Sequence, residues 1–309
     1  MKSFKFLYFL LFATLVFTSC SDDEDDVVVA KKTIVDVVVE NPNFTLLEAA
    51  VLHAGLADAL KSPSITVFAP TDAAFKAAGF ADEASIKAAD KNVIASILTY
   101  HVVGRLVPAA AIETKDNAEV VTLNTAKVFV TKNASGVSVN GAKVTSADVK
   151  AENGAIIHII DAVLVPETKN IVALAQSIPS LSYLVAAVLR ANEGATKVVT
   201  VLSGTGPLTV FAPTNDAFIK AGFTTIASIQ AASPDALASI LTYHVVGARV
   251  YSTNLTTGNV TTANGGTVAV NATNATLKGK NNTGDSKITA VNVAASNGVV
   301  HVIDTVLLP

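Results

Sequence analysis

The sequence contains little cysteine, tryptophan or charge. Its 309 residues include one cysteine and no tryptophan, and only 15% are charged. A single cysteine excludes any disulfide within the chain. Half of the residues are hydrophobic, so the chain can bury a substantial core and is not expected to be disordered. A length of this order is typical of about two domains.

Long apolar runs are also absent, except at the N-terminus. Lys2 and Lys5 precede an apolar stretch that occupies residues 6–17. A helix rises about 1.5 Å per residue, so this stretch is too short for the roughly 30 Å core of a bilayer. Basic residues followed by a short apolar run are typical of a signal peptide, which we place at residues 1–19.

The only cysteine, Cys20, follows directly after this segment. Residues 17–20, Phe-Thr-Ser-Cys, resemble a bacterial lipobox, although Phe17 departs from the aliphatic residue usual at that position. The resemblance implies cleavage before Cys20 and lipidation of its sulfur; the alternative is a buried thiol. Several acyl chains on one residue would anchor the protein firmly, since a single chain binds a membrane only marginally.

Five acidic residues at 22–26 follow the cysteine. A block of like charges favours a solvated, extended tether, here residues 20–31. The block also resembles the acidic signal that carries Bacteroidetes lipoproteins to the outer face of the outer membrane. This resemblance implies a protein that is lipid-anchored in the outer membrane and faces the cell exterior. The alternative is a plain solubilising linker.

The rest of the chain is electrically neutral. The full sequence has 22 basic and 25 acidic residues, and 20 of each remain without Lys2, Lys5 and the acidic block. Such a balance offers no basic surface for nucleic acid or anionic lipid headgroups. We therefore expect no nucleic-acid partner.

Comparison of the sequence with itself shows two copies of one pattern. Three segments recur at an offset of 143 residues: 66–71 at 209–214, 97–104 at 240–247, and 158–161 at 301–304. This period is too long for a solenoid and indicates tandem domains. We expect a first domain at residues 32–166, a linker at 167–170 and a second domain at 171–309. The second copy has an insertion within residues 192–207, in a predicted loop.

Helical signals come first in each copy. Apolar residues recur at helical spacing within residues 43–60, which predicts a helix there. Thr71 and Thr214 follow a predicted strand, and their hydroxyls are suited to cap the next helix. Asp72 and Asp216 would lie in the first turn of that helix, where the helix dipole favours negative charge.

Strand signals dominate the rest of each copy. Residues 128–130 and 137–139 are rich in β-branched and aromatic residues, which predicts strands. Asn140-Gly141 follows the second of these segments and is typical of a hairpin turn. The apolar run at 156–165 predicts a buried central strand. Helices followed by mostly antiparallel strands favour an α+β fold.

Taken together, these segments resemble the fasciclin domain. The first copy has Thr-Val-Phe-Ala-Pro-Thr at 66–71, Leu-Thr-Tyr-His-Val-Val at 98–103 and a closing segment at 153–166, and all three recur in order in the second copy. The resemblance covers residues 32–309. It implies two tandem fasciclin-like domains, each a wedge of two β-sheets with helices packed on one side.

The usual catalytic signatures are missing. The sequence has no G-x-S-x-G, no H-E-x-x-H and no phosphate-binding loop. Four of its histidines occupy matched positions, His101 with His158 and His244 with His301, whereas His53 is expected on a solvated helix face. Each pair could form a metal or acid–base site. Because no third ligand lies at metal-like spacing, we favour structural roles, with hydrogen bonds to backbone, and expect no metal or cofactor.

The resemblance also suggests where a partner could bind. The Tyr-His segment is implicated in adhesion-receptor binding in eukaryotic fasciclin proteins, which makes Tyr100, His101, Tyr243 and His244 candidates here. The resemblance, the export signal and the missing catalytic set predict a non-enzymatic surface adhesion or interaction protein with a protein or polysaccharide partner. The alternative is a carrier of a lipid or other small apolar ligand, held between helices and sheet.

Overall fold

The chain repeats one order of elements, with helices first and most of the sheet last. The structure is a computed structural model and describes residues 31–309. Lys32–Pro309 forms one unit. The predicted signal peptide, the lipidation site Cys20 and the acidic block at 22–26 lie outside the described residues.

The first repeat has five helices and seven strands in the described chain. They are α1 Ile34–Glu40, α2 Thr45–Ala54, β1 Thr66–Pro70, α3 Asp72–Ala77, α4 Glu83–Ala88, α5 Lys91–Tyr100, β2 Val102–Val103, β3 Ala118–Val121, β4 Lys127–Asn133, β5 Gly136–Val139, β6 Ala142–Lys150 and β7 Ile156–Ile160.

The second repeat has one helix more. Its elements are α6 Ile171–Gln176, α7 Ser182–Ala191, α8 Val198–Ser203, β8 Leu208–Pro213, α9 Asn215–Lys220, α10 Ile226–Gln230, α11 Pro234–Tyr243, β9 Val245–Val246, β10 Gly258–Thr261, β11 Thr267–Asn271, β12 Thr276–Lys278, β13 Ser286–Ala295 and β14 Gly298–Ile303.

The strands of each repeat hydrogen-bond in one continuous order, β2-β1-β7-β6-β5-β4-β3 and its equivalent β9-β8-β14-β13-β12-β11-β10. The central pairs, β1 with β7 and β8 with β14, are parallel, and the other strand pairs are antiparallel. The β6–β7 ladder shifts register on either side of Ser146. Because bulges bend a strand, β6 leads from one sheet layer into the other. The predicted α+β fold is confirmed.

Each repeat has two hydrophobic cores. In the first repeat one core lies between helices and sheet and contains Phe44, Phe75 and Val67. The other lies between the two sheet layers and contains Phe68 and Val128. Neighbouring residues of β1 enter different cores because successive side chains of a strand point to opposite faces. The second repeat has the same two cores, so helices cover one side of each wedge.

Two local predictions had different outcomes. The helix predicted within residues 43–60 is shorter, because Gly55 adopts a left-handed φ of 71° and ends α2 at Ala54. The chain continues into a short 3₁₀ helix at Ala59–Lys61. The hairpin turn is confirmed: Asn140 and Gly141 have φ values of 49° and 80°, as a two-residue type I′ turn requires.

The sequence predicted a loop for the insertion in the second repeat, but the structure has a helix there. This helix, α8, buries Val198 and Leu202 and packs against α6 and α7. The apolar side chains of this short segment therefore extend the core between helices and sheet of the second repeat.

Side-chain caps determine where several helices begin. Thr71 Oγ1 accepts a hydrogen bond from Ala74 N at 3.3 Å, and Thr214 Oγ1 accepts one from Ala217 N at 3.2 Å. Asp72 has a role that its position in α3 did not suggest. Its carboxylate accepts from Thr45 Oγ1 at 2.6 Å and from Leu46 N at 2.9 Å, at the start of α2.

Asp72 and Asp216 both lie in the first turn of their helices, as predicted. The structural counterpart of Asp72 is Asn215, because Asn215 Oδ1 accepts from Tyr183 N at 2.9 Å, at the start of α7. Asp216 is exposed. In both repeats, the residue after the capping threonine thus joins two helices.

We predict that Asp72→Ala lowers the free energy of unfolding by about 1–2 kcal/mol, because the first turn of α2 loses its cap. The matched control is Asp216→Ala, which removes an exposed acid from the same helical turn of the other repeat and should change stability by less than about 0.5 kcal/mol. Urea denaturation measures both. Equal effects of the two substitutions would contradict the capping role.

Candidate functional site

The tyrosine of each Tyr-His segment ends the last helix of its repeat, α5 or α11, and joins that helix to the β-strands that follow. Tyr100 is only 4% exposed. Its hydroxyl donates to Lys127 O at 2.8 Å and accepts from Asn140 Nδ2 at 2.8 Å. Tyr243 is buried likewise, donates to Thr267 O and accepts from Lys280 N. The phenol is therefore hydrogen-bonded on both its donor and acceptor sides in each repeat.

The adjacent histidine connects the end of that helix to the segment after the central strand. His101 Nδ1 lies 2.8 Å from Ile97 O, and Leu164 N donates to Nε2 at 2.9 Å. His244 repeats this with Ile240 O and Leu307 N. Since Nδ1 faces a carbonyl and Nε2 accepts from an amide, each imidazole is neutral with its proton on Nδ1. Burial lowers the pKa of both side chains to about 4.

The second histidine of each repeat lies on the central strand and has the opposite tautomer. His158 Nε2 donates to Val107 O at 2.8 Å, and Nδ1 accepts from Asp148 N at 3.3 Å. The ring stacks on Phe68 with centroids 5.7 Å apart. His301 makes the equivalent contacts to Val250 O and Asn292 N.

These contacts occupy the ring nitrogens that the matched histidines would need for metal binding or proton transfer. All four use both ring nitrogens on backbone groups, so none has a free lone pair for a metal or a proton transfer. Among residues 31–309, no three His, Cys, Asp or Glu side chains are grouped closely enough to hold a metal ion. In each repeat the two histidines bond to different backbone segments and share no partner.

The Tyr-His segments, which the resemblance made candidates for partner contact, are buried. Tyr100, His101, Tyr243 and His244 are each at most 4% exposed, so their side chains present very little surface to a partner.

The expectation that His53 lies on a solvated helix face was wrong. It is partly buried, and its Nε2 lies 3.1 Å from Ala89 O, a bond that Arg190 Nε makes to Ala232 O in the second repeat.

The junction between the repeats is a feature that the motifs did not indicate. Side-chain amides form much of it: Asn117 Nδ2 donates to Arg249 O at 2.7 Å, and Asn254 Nδ2 donates to Asp116 Oδ1 at 2.8 Å and to Thr131 Oγ1 at 3.0 Å. Further bonds link Ser138 with Thr253 and Asn292 with Gly141. The sheet of the first repeat thus faces the loop around Ser252–Asn254 of the second.

A cluster of larger side chains lies beside these bonds. The Arg249 guanidinium carbon is 4.1 Å from the centre of the Phe129 ring, a cation–π contact. Tyr251 packs near the same ring, with centroids 6.5 Å apart. These three residues depart from the repeat. Leu106 and Pro108 lie at the positions equivalent to Arg249 and Tyr251, and the strand pairings match Phe129 with Ala269. The differences at Arg249 and Tyr251 are visible in the sequence, whereas that at Phe129 follows from the strand register.

The cluster borders a pocket, called here the junction pocket, with a volume of about 260 Å³. Its lining includes Tyr100, Phe129, Glu167, Arg249 and Tyr251. Burial raises the pKa of Glu167 to about 7, although Lys169 opposes the rise. Burial also raises the pKa of Tyr251 to about 12 against the opposing charge of Arg249. Glu167 belongs to the predicted linker, so both repeats and the segment joining them contribute.

Each repeat also has an apolar cleft between helices and sheet. The cleft of the second repeat is lined by residues such as Leu184 and Val210, and that of the first by their equivalents Leu47 and Val67. Each has a volume of about 30 Å³, enough for only one or two water molecules. A lipid carrier would therefore need these clefts to open.

No helix within residues 31–309 combines the length and apolar character needed to cross a bilayer.

Comparison with known proteins agrees with this geometry. The model of the fasciclin domain matches residues 42–166 and again 181–309. The chain belongs to the fasciclin domain family. The buried Tyr-His segments and matched histidines described above therefore lie inside fasciclin domains, two in tandem.

Several proteins share these domains. Protein sll1483 of Synechocystis is 38% identical over 45% of this chain and 73% of its own length. Transforming growth factor-beta-induced protein ig-h3 of Sus scrofa is 32% identical over 56% of this chain, which spans only 24% of that protein. A solved FAS1 domain pair from the insect cell adhesion molecule Fasciclin I is 19% identical, with a TM-score of 0.40, over 85% of this chain and 96% of that chain.

We predict that stability falls as the pH drops below about 6.5. His101 and His244 stay neutral in the folded state down to about pH 4, whereas the unfolded chain binds a proton at each near pH 6.5. The unfolded state is therefore favoured at lower pH, by about 2 kcal/mol per imidazole between pH 7 and pH 5. Urea denaturation across this range measures the loss.

Two variants isolate this effect from that of the carboxylates. His244→Gln should reduce the slope of unfolding free energy against pH, by at most about 1.4 kcal/mol per pH unit. Tyr243→Phe removes neighbouring hydrogen bonds but no imidazole, so it should lower stability and keep the slope. An unchanged slope in His244→Gln would show that His244 is not a buried neutral imidazole.

Proposed function

We propose that this protein is a non-enzymatic interaction protein of the cell surface, whose two fasciclin domains bind an extracellular protein or polysaccharide. The observation that supports this most strongly is the hydrogen bonding of the four matched histidines. Both ring nitrogens of each are paired with backbone, which favours a structural role for the signature segments over a reaction centre. Fasciclin domains also occur in cell-adhesion and interaction proteins.

The partner would contact exposed surfaces and not the Tyr-His segments. The polar junction holds the domains together, so they can present one binding surface. A rigid surface loses less conformational entropy on binding than two freely linked domains would. The neutral charge of the chain outside its N-terminus makes a protein or uncharged polysaccharide a better partner than a strongly charged polymer.

The proposed location follows from the N-terminal sequence. Cys20 would carry the lipid, and the acidic block at 22–26 would direct the protein to the outer face of the outer membrane. On this arrangement the fasciclin domains lie outside the cell, at the end of a short solvated tether, where an extracellular partner can reach them.

Binding of the unlipidated mature chain, residues 21–309, to a panel of matrix proteins, polysaccharides and itself tests the function. We expect saturable binding to at least one of them by biolayer interferometry. Tyr100→Phe should leave that affinity unchanged while lowering stability by about 1–2 kcal/mol, because the hydroxyl is buried and doubly bonded. Heat-unfolded protein is the negative control. A folded Tyr100→Phe that loses affinity, or a panel without any binding, would contradict the proposal.

The anchor is tested separately in cells. Cys20→Ala should move the protein from the membrane to the soluble fraction, because lipidation needs the sulfur. Ser21→Ala is the matched control and should stay membrane-bound. Replacing the acids at 22–26 with neutral residues should keep the protein on the membrane but protect it from protease added to intact cells. Membrane retention of Cys20→Ala would disprove the lipid anchor.

A further inference from the structure

The junction pocket has a lining that its structural role does not explain. It lies where the two domains meet, with Tyr100, Phe129 and Asn140 from the first domain, Glu167 from the predicted linker, and Arg249 with other residues from the second. Its volume of about 260 Å³ approaches the lower end of small-molecule sites, roughly 300 Å³. Aromatic faces and charged groups therefore surround a space that could hold a small polar molecule.

Arg249 is the most unusual of these residues. Only 9% of it is exposed. Its Nη1 donates to Gly298 O at 3.0 Å, and its guanidinium lies over Phe129, yet its buried Nε has no hydrogen-bond partner. Arg249 takes part in none of the ion pairs found among residues 31–309. A nearly buried charge without a counter-ion is costly unless something pairs with it.

The unpaired Nε indicates what kind of group would pair with it. The N–H of Nε forms one half of a guanidinium edge whose two parallel N–H groups match the two oxygens of a carboxylate. The other cationic residue in the pocket lining, Lys127, is already paired, because its Nζ contacts Glu119 at 2.6 Å. Arg249 is thus the pocket cation that is available to an acid.

Glu167 adds a second polar group on the same pocket. It forms no ion pair with Arg249 or with any other cation in the described chain, and it can accept a hydrogen bond from a hydroxyl group. Its raised pKa means that a good part of the population is protonated near neutral pH, which reduces repulsion of an incoming acid. Phe129, which is only partly buried, adds an aromatic ring beside these two groups. Tyr251 packs near this ring and is itself almost fully buried.

We propose that the junction pocket binds a small hydroxylated carboxylic acid, with Arg249 holding the carboxylate and Glu167 accepting a hydrogen bond from a hydroxyl. The size of the pocket suits one sugar-acid unit. This site is additional to the partner surface proposed above and does not depend on it, since either could exist without the other.

The difference between the domains supports a specific role for Arg249. The equivalent residue of the first domain is Leu106, which is 45% exposed. If Arg249 served only to fill the junction, leucine would serve as well, because replacing a buried charge with a packed apolar side chain is often neutral or stabilising. Binding and packing can therefore be separated with one substitution.

The test uses the unlipidated mature chain and isothermal titration calorimetry. The probes are D-glucuronate and D-galacturonate, with D-glucose as the neutral match of similar size. We expect a Kd of about 1 mM or tighter for at least one acid, and at least tenfold weaker binding of glucose. The Nε–H resonance of Arg249 should shift as the acid is added, which places the acid at this side chain.

Arg249→Leu should weaken binding of the acid at least tenfold, and Glu167→Gln should weaken it less, because an amide still accepts from a hydroxyl. Arg190→Leu is the matched control: Arg190 already pairs with Glu193 on the surface, and its loss should leave binding unchanged. If Arg249→Leu does not fold, Arg249→Lys replaces it and should also weaken binding, since lysine lacks the two-pronged edge.

Three results would overturn the proposal. These are the absence of saturable binding by either acid, equal binding of glucose, and unchanged affinity after substitution of Arg249. Partner binding in the panel described above is measured on the same protein, so failure of one proposal is distinguishable from failure of the other.

Discussion

The requirement that buried backbone groups find hydrogen-bond partners shapes each domain of this protein. The carbonyl at the end of the last helix, the amide after the central strand and the amide at the bulge of β6 all lie where no regular ladder can reach them. His101 and His158 supply the missing partners for these groups. The helical layer, the central strand and the bent strand are therefore held together by two imidazoles, and the second domain repeats the arrangement.

This use of histidine explains why the most recognisable segments of the sequence lie in the interior. Replacing a side chain that bonds backbone at both ring nitrogens with an apolar residue would leave buried groups unsatisfied. The resemblance to fasciclin domains is strongest at these segments because the fold depends on them. The two copies are free to differ at other surfaces, where no such backbone group depends on the side chain.

The two copies differ most informatively where they meet. The first domain contributes a sheet face and the second a loop, so the contact is heterologous, and each copy is adapted to a different side of it. Phe129 replaces the small residue found at position 269, and Arg249 and Tyr251 replace Leu106 and Pro108. A tandem duplication has thus acquired a pocket that neither copy could form alone, with charged groups in a partly buried setting.

Much of the local structure was determined by residues close together in the chain. Thr71 caps the helix that follows it, and Asn140-Gly141 turns the hairpin, because both effects involve neighbouring backbone only. Asp72 shows the limit of such reasoning. Its place in a first helical turn predicted an interaction with its own helix. Its carboxylate instead accepts from the Leu46 amide at the start of α2, 26 residues earlier in the chain.

The duplication, the α+β class and the family resemblance could be predicted from the sequence, because repeated motifs and hydrophobic periodicity are local patterns; the anchor at Cys20 stays a prediction. The burial of Tyr100, His101, Tyr243 and His244 could not be predicted in this way, because it depends on how helices and both sheet layers pack around them. The tertiary structure also brought Phe129 and Arg249 together across more than a hundred residues. Contacts at such separation follow from how two folded domains fit together, which no local pattern of side chains encodes.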